Sequence, residues 1–315
     1  MIPLPAPPAP ARVAGQTVVR KDQFMSEAPA FSAEIQRARE LESNDPDEAG
    51  RLYMSVLERD PGNLEASNAL ERLHDPRRYS AWMRINCMID PRDDIFRFIG
   101  TGPYSHNPIR DYLADGWRTL SELMVVMDKL DRPLTRVSSF LEFASGYGRF
   151  TRHLVKVLPG KVACSDVMPG AMEFAREQFG VEAFYSSFEP EEIEFPRRYE
   201  VVFVLSLLTH LPIEVWGRWL KAWAGAVAPG GVLIFTVHNE DVLRNQLGVE
   251  FDETGYSFLP SSESPSLEAN QYGTSLATAS VVAEQIRLAL GTDPVLWEEC
   301  AFWVGHDAIA IRPHG

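Results

Sequence analysis

The sequence has little cysteine, little positive charge and no long apolar run, and each shortage removes a class of function. Three cysteines among 315 residues, Cys87, Cys164 and Cys300, are scattered without metal-ligand spacing. An odd number without a secretory leader fits free thiols in a reducing compartment and a cytoplasmic protein. Lysine and arginine total 30 against 44 aspartates and glutamates, a formal net charge of −14. The only adjacent arginine pairs are Arg77-Arg78 and Arg197-Arg198, so no basic stripe is present to track phosphates, and neither nucleic acid nor an anionic membrane is expected as a partner. The longest apolar stretch, Val201 to Leu208, is broken by Ser206 and is far shorter than the ~20 residues that span a bilayer. No His/Cys/Glu cluster has metal-ligand spacing, so no metal site is expected.

Apolar residues make up 45% of the chain, enough for one large α/β core with a smaller appendage. Prolines at 3, 5, 7, 8 and 10 forbid the helical apolar core of a signal peptide, and residues 1–27 are expected to be a disordered tail. Residues 28–78 are predicted to form a helical hairpin broken at Asp60-Pro61-Gly62. It resembles a single tetratricopeptide unit, with Tyr53, Leu57, Pro61, Asn63 and Ala66 in matching places. One such unit cannot bury its own face, so it either packs on the rest of the chain or recruits a protein partner or a second copy. Residues 79–135 are predicted to form a helical cap, with Leu113, Trp117, Leu120, Met124 and Met127 on one apolar stripe of a long helix. The loop before that helix carries Tyr104 and His106.

From residue 136 to 315 short apolar runs alternate with helices, beginning "SSFLEFA", "RFTRHLVKVL", "KVACSDV" and "GAMEFAREQF". This rhythm predicts an α/β fold: a doubly wound, mostly parallel Rossmann-like sheet with an antiparallel edge strand, preceded by the helical region. Arg152 and His153, on the first crossover helix, read as surface residues. In an open sheet of this kind the ligand sits beyond the carboxyl ends of the strands. The loop after the first strand, "FASGYG", has small residues that let a nucleotide approach. Its match to G-x-G-x-x-G is only partial, because Thr151 stands at the third position.

Glu142 bears on the choice of nucleotide. A carboxylate at the end of the first strand repels a pyrophosphate but suits a cation. Asp166, twenty residues beyond Gly146, closes the second strand where a carboxylate accepts ribose hydroxyls.

The blocks "FLEFASGYG", "CSDVMPGAMEFARE", "YEVVFVLSLLTHLP" and "APGGVLIFTVHN", in this order, resemble the class I S-adenosylmethionine-dependent methyltransferases. The segments "DPRDDIFRFI", "IRDYLADGWRTL" and "WVGHDAIAI" are similar to bacterial members found beside glycosyltransferases. The resemblance implies S-adenosylmethionine as cofactor. Glu142 would hold the methionine ammonium, backbone at Ala144, Gly146 and Gly148 would approach the methionine moiety, and Asp166 would hold the ribose. Val167, Met168, Ser187 and Phe188 would border adenine, and Leu205 and Ser206 the methionyl part. Ala144 stands where the family loop has its first glycine, which requires a negative φ there.

Methyl transfer is an in-line displacement, and a hydroxyl acceptor gains from a general base. The candidate bases are His210, His238 and His106, with no choice among them; His306-Asp307 is a further pair that could line the pocket. The expected activity is methyl transfer to a small-molecule or glycan hydroxyl. A non-catalytic cofactor-binding scaffold and an NAD-dependent oxidoreductase are the alternatives.

Overall fold

The computed structural model describes residues 31–102, 105–303 and 305–313; the proline-rich segment and Tyr104 lie outside them. Three helices open the described chain: α1 (Ser32–Leu41), α2 (Pro46–Arg59) and α3 (Leu64–Arg72). The sequence dictates their ends. Asp45 and Asn63 accept from the backbone N–H groups of Glu48 and Ala66 at the starts of α2 and α3, and the Asp60-Pro61-Gly62 turn lies between the two helices. The short α4 (Tyr79–Met83), then α5 (Asp94–Thr101) and the long α6 (Pro108–Lys129) complete the helical region.

The hairpin and the cap share one core. Tyr53, Val56 and Leu70 pack with Ile85, Cys87, Ile89 and Phe96 and with Ile109, Tyr112 and Leu113 from the front of α6. The rear of α6, through Leu120, Leu123, Val126 and Met127, belongs to the core under the main sheet. This helix therefore bolts the N-terminal helices to the sheet. The expected stripe is corrected in part: Leu113, Leu120 and Met127 are buried, but Trp117 and Met124 are exposed, because the packed face runs through Gly116, Thr119 and Leu123 instead. At Gly116 an added Cβ would come 2.1 Å from the Arg149 carbonyl oxygen, so the helix approaches the main domain here closer than any side chain allows.

The sheet has seven strands: β1 (Phe140–Phe143), β2 (Val162–Asp166), β3 (Glu182–Tyr185), β4 (Tyr199–Val204), β5 (Val227–His238), β8 (Leu296–Phe302) and β9 (His306–Ile311), in the order β3-β2-β1-β4-β5-β9-β8. The first five are parallel; β9 runs antiparallel between β5 and β8. Crossover helices α7 (Thr151–Val157), α8 (Ala171–Phe179), α9 (Ile213–Gly225) and α10 (Ala279–Leu290) cover it. Alternation along the strands sends Phe140, Cys164 and Phe203 to the side of α6, α7 and α8. Leu141, Phe143 and Val202 face the opposite side, against Trp219 and Trp223 of α9 and Ile286 of α10. Between β5 and α10 a two-stranded ribbon, β6 (Tyr256–Leu259) paired with β7 (Thr274–Ala277), packs against the domain, with β7 buried along its length.

Arg152 and His153 are not on the surface; both are buried. The Arg152 guanidinium donates to the carbonyls of Gly148, Asn86 and Met88 and lies over the rings of Tyr112 and Phe179. His153 Nε2 donates to the Leu113 carbonyl at 3.0 Å, and burial depresses its pKa to about 4. The polar face of α7 is thus the seam between sheet domain and helical region.

Candidate active site

A cavity of about 650 Å³ opens at the carboxyl ends of β1, β2, β4 and β5. Ten of the eleven expected cofactor residues line it: Glu142, Ala144, Gly146, Asp166, Val167, Met168, Ser187, Phe188, Leu205 and Ser206. The exception is Gly148. Its φ is +75°, and an added Cβ would come 2.4 Å from the Phe179 ring, so this glycine serves packing behind the loop.

Glu142 points to the α7 side of the sheet, where its Oε2 accepts from Thr151 Oγ1 at 2.6 Å. Burial raises its pKa to about 8, against the opposing effect of the Thr151 hydrogen bond. Asp166 accepts from the backbone N–H groups of Gly146 (2.7 Å) and Met168 (2.9 Å). It thereby ties the first loop to the end of β2. The helix after it, α8, is preceded by Gly170 rather than capped by Asp166. Burial raises the Asp166 pKa as well.

Ala144 departs from expectation. Its φ is +60°, the left-handed region, which costs a residue with a Cβ roughly 1 kcal/mol. Ser206 at the end of β4 and Trp303 also have positive φ, +58° and +46°, and both line the cavity. Backbone strain concentrated at a site is the usual sign that geometry there serves a ligand. Ala144→Gly is expected to raise the melting temperature by about 1–2 °C, because relief of the strain exceeds the lost methyl packing; unchanged or lower melting would show that the methyl contact compensates.

The far wall comes from segments that carry no family motif. His210, after β4, is buried, and its Nδ1 donates to the Gly273 carbonyl at 2.7 Å. Its Nε2 lies 3.1 Å from Glu263 Oε1 and 3.4 Å from Ser206 Oγ, and the Tyr272 ring stacks on it at 4.5 Å. Glu263, Tyr272 and Gly273 all lie in the β6–β7 ribbon loop. Burial opposes charge on His210, but the Glu263 carboxylate outweighs it and holds the pKa above 6.5; reciprocally, Glu263 stays below the usual carboxylate value. The same loop is fastened across the cavity to α5: Ser264 Oγ donates to Asp94 Oδ2 at 2.7 Å, and Ser266 donates through its N–H and its hydroxyl.

His238, at the end of β5, and His306 also line the cavity, but His106 is exposed and away from it. His106 precedes the Asn107 cap of α6, on the flank of the helical region. Glu263, Tyr272, Asp94 and Arg149, which no sequence motif marks as site residues, also line the cavity. Arg149 pairs with Asp115 and lies over the Trp303 ring at 4.8 Å. The runs "YSFL" and "TSLA" around a serine- and proline-rich loop carried a hairpin signal that could have drawn attention to the ribbon.

Residues 140–231 match the family model described as a methyltransferase domain. This segment is similar to a methyltransferase domain. Solved structures with similar folds include an S-adenosylmethionine-dependent methyltransferase from Clostridium acetobutylicum, at 11% identity, 62% of this chain, 91% of that chain and a TM-score of 0.44. The CcbJ methyltransferase from Streptomyces caelestis aligns at 15% identity over 64% of this chain and 95% of that one, with a TM-score of 0.45. The glycopeptide N-methyltransferase MtfA aligns at 12% identity over 61% and 90%, with a TM-score of 0.45. No curated protein sequence matches the chain.

The lining of the cavity suits a cation. Carboxyl groups end β1 and β2, whereas Arg149, the arginine in the lining, is already engaged by Asp115, so a cationic ligand is favoured over a pyrophosphate. Among the described residues no group of three or more His, Cys, Asp or Glu is placed to hold a metal ion, and no helix is long and apolar enough to cross a membrane.

Proposed function

We propose that the protein transfers a methyl group from S-adenosylmethionine to a hydroxyl of a small-molecule or glycan acceptor, with His210 as general base. The observation that carries this reading is the His210–Glu263 pair across the same cavity from Glu142 and Asp166. When bound, S-adenosylmethionine supplies a methyl group activated by sulfonium. Glu142 would hold the methionine ammonium, and Asp166 the ribose. His210 has its Nδ1 proton committed to the Gly273 carbonyl and its Nε2 beside Glu263 Oε1, so the hydroxyl proton passes to this pair, shared between Nε2 and the carboxylate, as oxygen gains the methyl. Glu263 stabilises the imidazolium so formed. The volume, about 650 Å³, is within the range of small-molecule sites, and the net charge of −14 disfavours nucleic acid.

Titration calorimetry against S-adenosylhomocysteine and NAD in parallel tests the cofactor. Micromolar affinity for the first and none for the second is expected. The reverse would replace the methyltransferase reading by a dinucleotide one.

A further inference from the structure

Three histidines line the cavity, yet only one of them is anchored. His210 is fixed by the Gly273 carbonyl and Glu263. His238 and His306 are cross-strand partners at the ends of β5 and β9, with ring centroids 4.8 Å apart and planes nearly perpendicular at 84°. His238 Nε2 and His306 Nδ1 are buried and have no hydrogen-bond partner among the described residues. Leaving such a nitrogen unpaired costs about 1–3 kcal/mol, and two of them on adjacent rings of one cavity demand an explanation. Both residues line the cavity, and the Trp303 ring lies 5.3 Å from that of His306.

The chemistry of the missing partner follows from the protonation of the rings. Burial lowers the pKa of His238 to about 4 and that of His306 well below its ordinary value, and a charge on His210 or on either ring would oppose a charge on the others. Both are therefore neutral where the enzyme works, and a neutral imidazole presents one donor and one acceptor. An ammonium offers only donors and a carboxylate only acceptors; a hydroxyl offers both.

We infer that His238 and His306 bind a second hydroxyl of the acceptor, besides the one offered to His210, so that the acceptor is a diol. This rests on the methyltransferase reading above. Sugars and catechols share this group, and the two histidines would select the position that is methylated.

The probes are cis-1,2-cyclohexanediol and cyclohexanol, titrated by ligand-observed NMR into protein saturated with S-adenosylhomocysteine. The diol is expected to bind at least about tenfold more tightly, because a site built for a hydroxyl rejects the analogue lacking it. His306→Phe and, independently, His238→Phe should abolish that preference while S-adenosylhomocysteine affinity stays within about twofold. Equal binding of the two probes by the wild-type protein, binding of neither, or a preference that survives both substitutions would overturn the inference. The wild-type comparison decides even if a variant fails to fold. Absence of S-adenosylhomocysteine binding is a separate result; it removes the cofactor reading and this inference with it.

Discussion

Replacing Glu142 with glutamine is expected to weaken S-adenosylmethionine binding by about tenfold to a hundredfold, the value of a charge-assisted hydrogen bond, while stabilising the ligand-free protein at alkaline pH. Both effects come from one placement. The side chain shares its face of β1 with Phe140, over α7, and burial raises its pKa from 4.5 to about 8. A folded pKa above the unfolded one gives a contribution to stability that is complete below pH 4.5 and is lost as pH rises through 8. The wild-type protein therefore loses stability across that window, on the order of 2–4 kcal/mol, and the variant does not. Denaturant melts at pH 5 and pH 9 measure the difference. A cation bound against Glu142 reverses the balance by favouring the carboxylate, so cofactor binding near pH 7 should release nearly one proton. Calorimetry in two buffers of different ionisation heat counts it. Unchanged affinity together with no proton release in the wild type would mean that Glu142 faces no cation, and the case for S-adenosylmethionine over a dinucleotide would lose its main support.

The half of the site that Glu142 represents was legible because it is local. Four successive buried residues make β1, the carboxyl group interrupts an apolar run, and the small-residue loop follows directly. Asp166 was legible for the same reason, at the end of the next strand. The sign of φ at Ala144 was not, because it depends on how Ser145 N–H reaches the Ser165 carbonyl and Gly146 N–H reaches Asp166. Arg152 and His153 misled for a further reason. A charged pair on a helix is surface by default, and only carbonyls of Asn86, Met88 and Leu113, 66, 64 and 40 residues away, make burial tolerable. The acceptor side was the least legible. His210 was one of three equivalent histidines in the sequence, and what distinguishes it is the return of the chain at Gly273 and Ser275, whose N–H groups donate to the carbonyls of His210 and Thr209. That pairing, 63 residues away in the case of Gly273, brings Glu263 to the imidazole. No window of the sequence contains both.

That partnership makes Glu263→Gln the more informative substitution on the acceptor side, and His210→Ala the larger one. Removing the imidazole is expected to lower kcat by about 10²- to 10⁴-fold on a hydroxyl acceptor identified by transfer of labelled methyl, the usual worth of a general base. S-adenosylhomocysteine affinity should hold. In the wild type the rate should fall as pH drops through the His210 pKa, which lies above 6.5 because Glu263 outweighs burial. Glutamine at 263 leaves burial and the neighbouring His238 to dominate, and both disfavour a charged imidazole. The acid limb of the pH–rate profile should then move down by at least about one unit. The variant would be slower than wild type at pH 8, where it lacks the carboxylate that stabilises the imidazolium, yet its relative loss would shrink or reverse near pH 6. Damage to folding or to acceptor binding lowers the rate at every pH and leaves the midpoint in place. A fixed midpoint in Glu263→Gln, with full activity retained by His210→Ala, would assign the pair to shaping the loop and leave methyl transfer to proceed without a protein base.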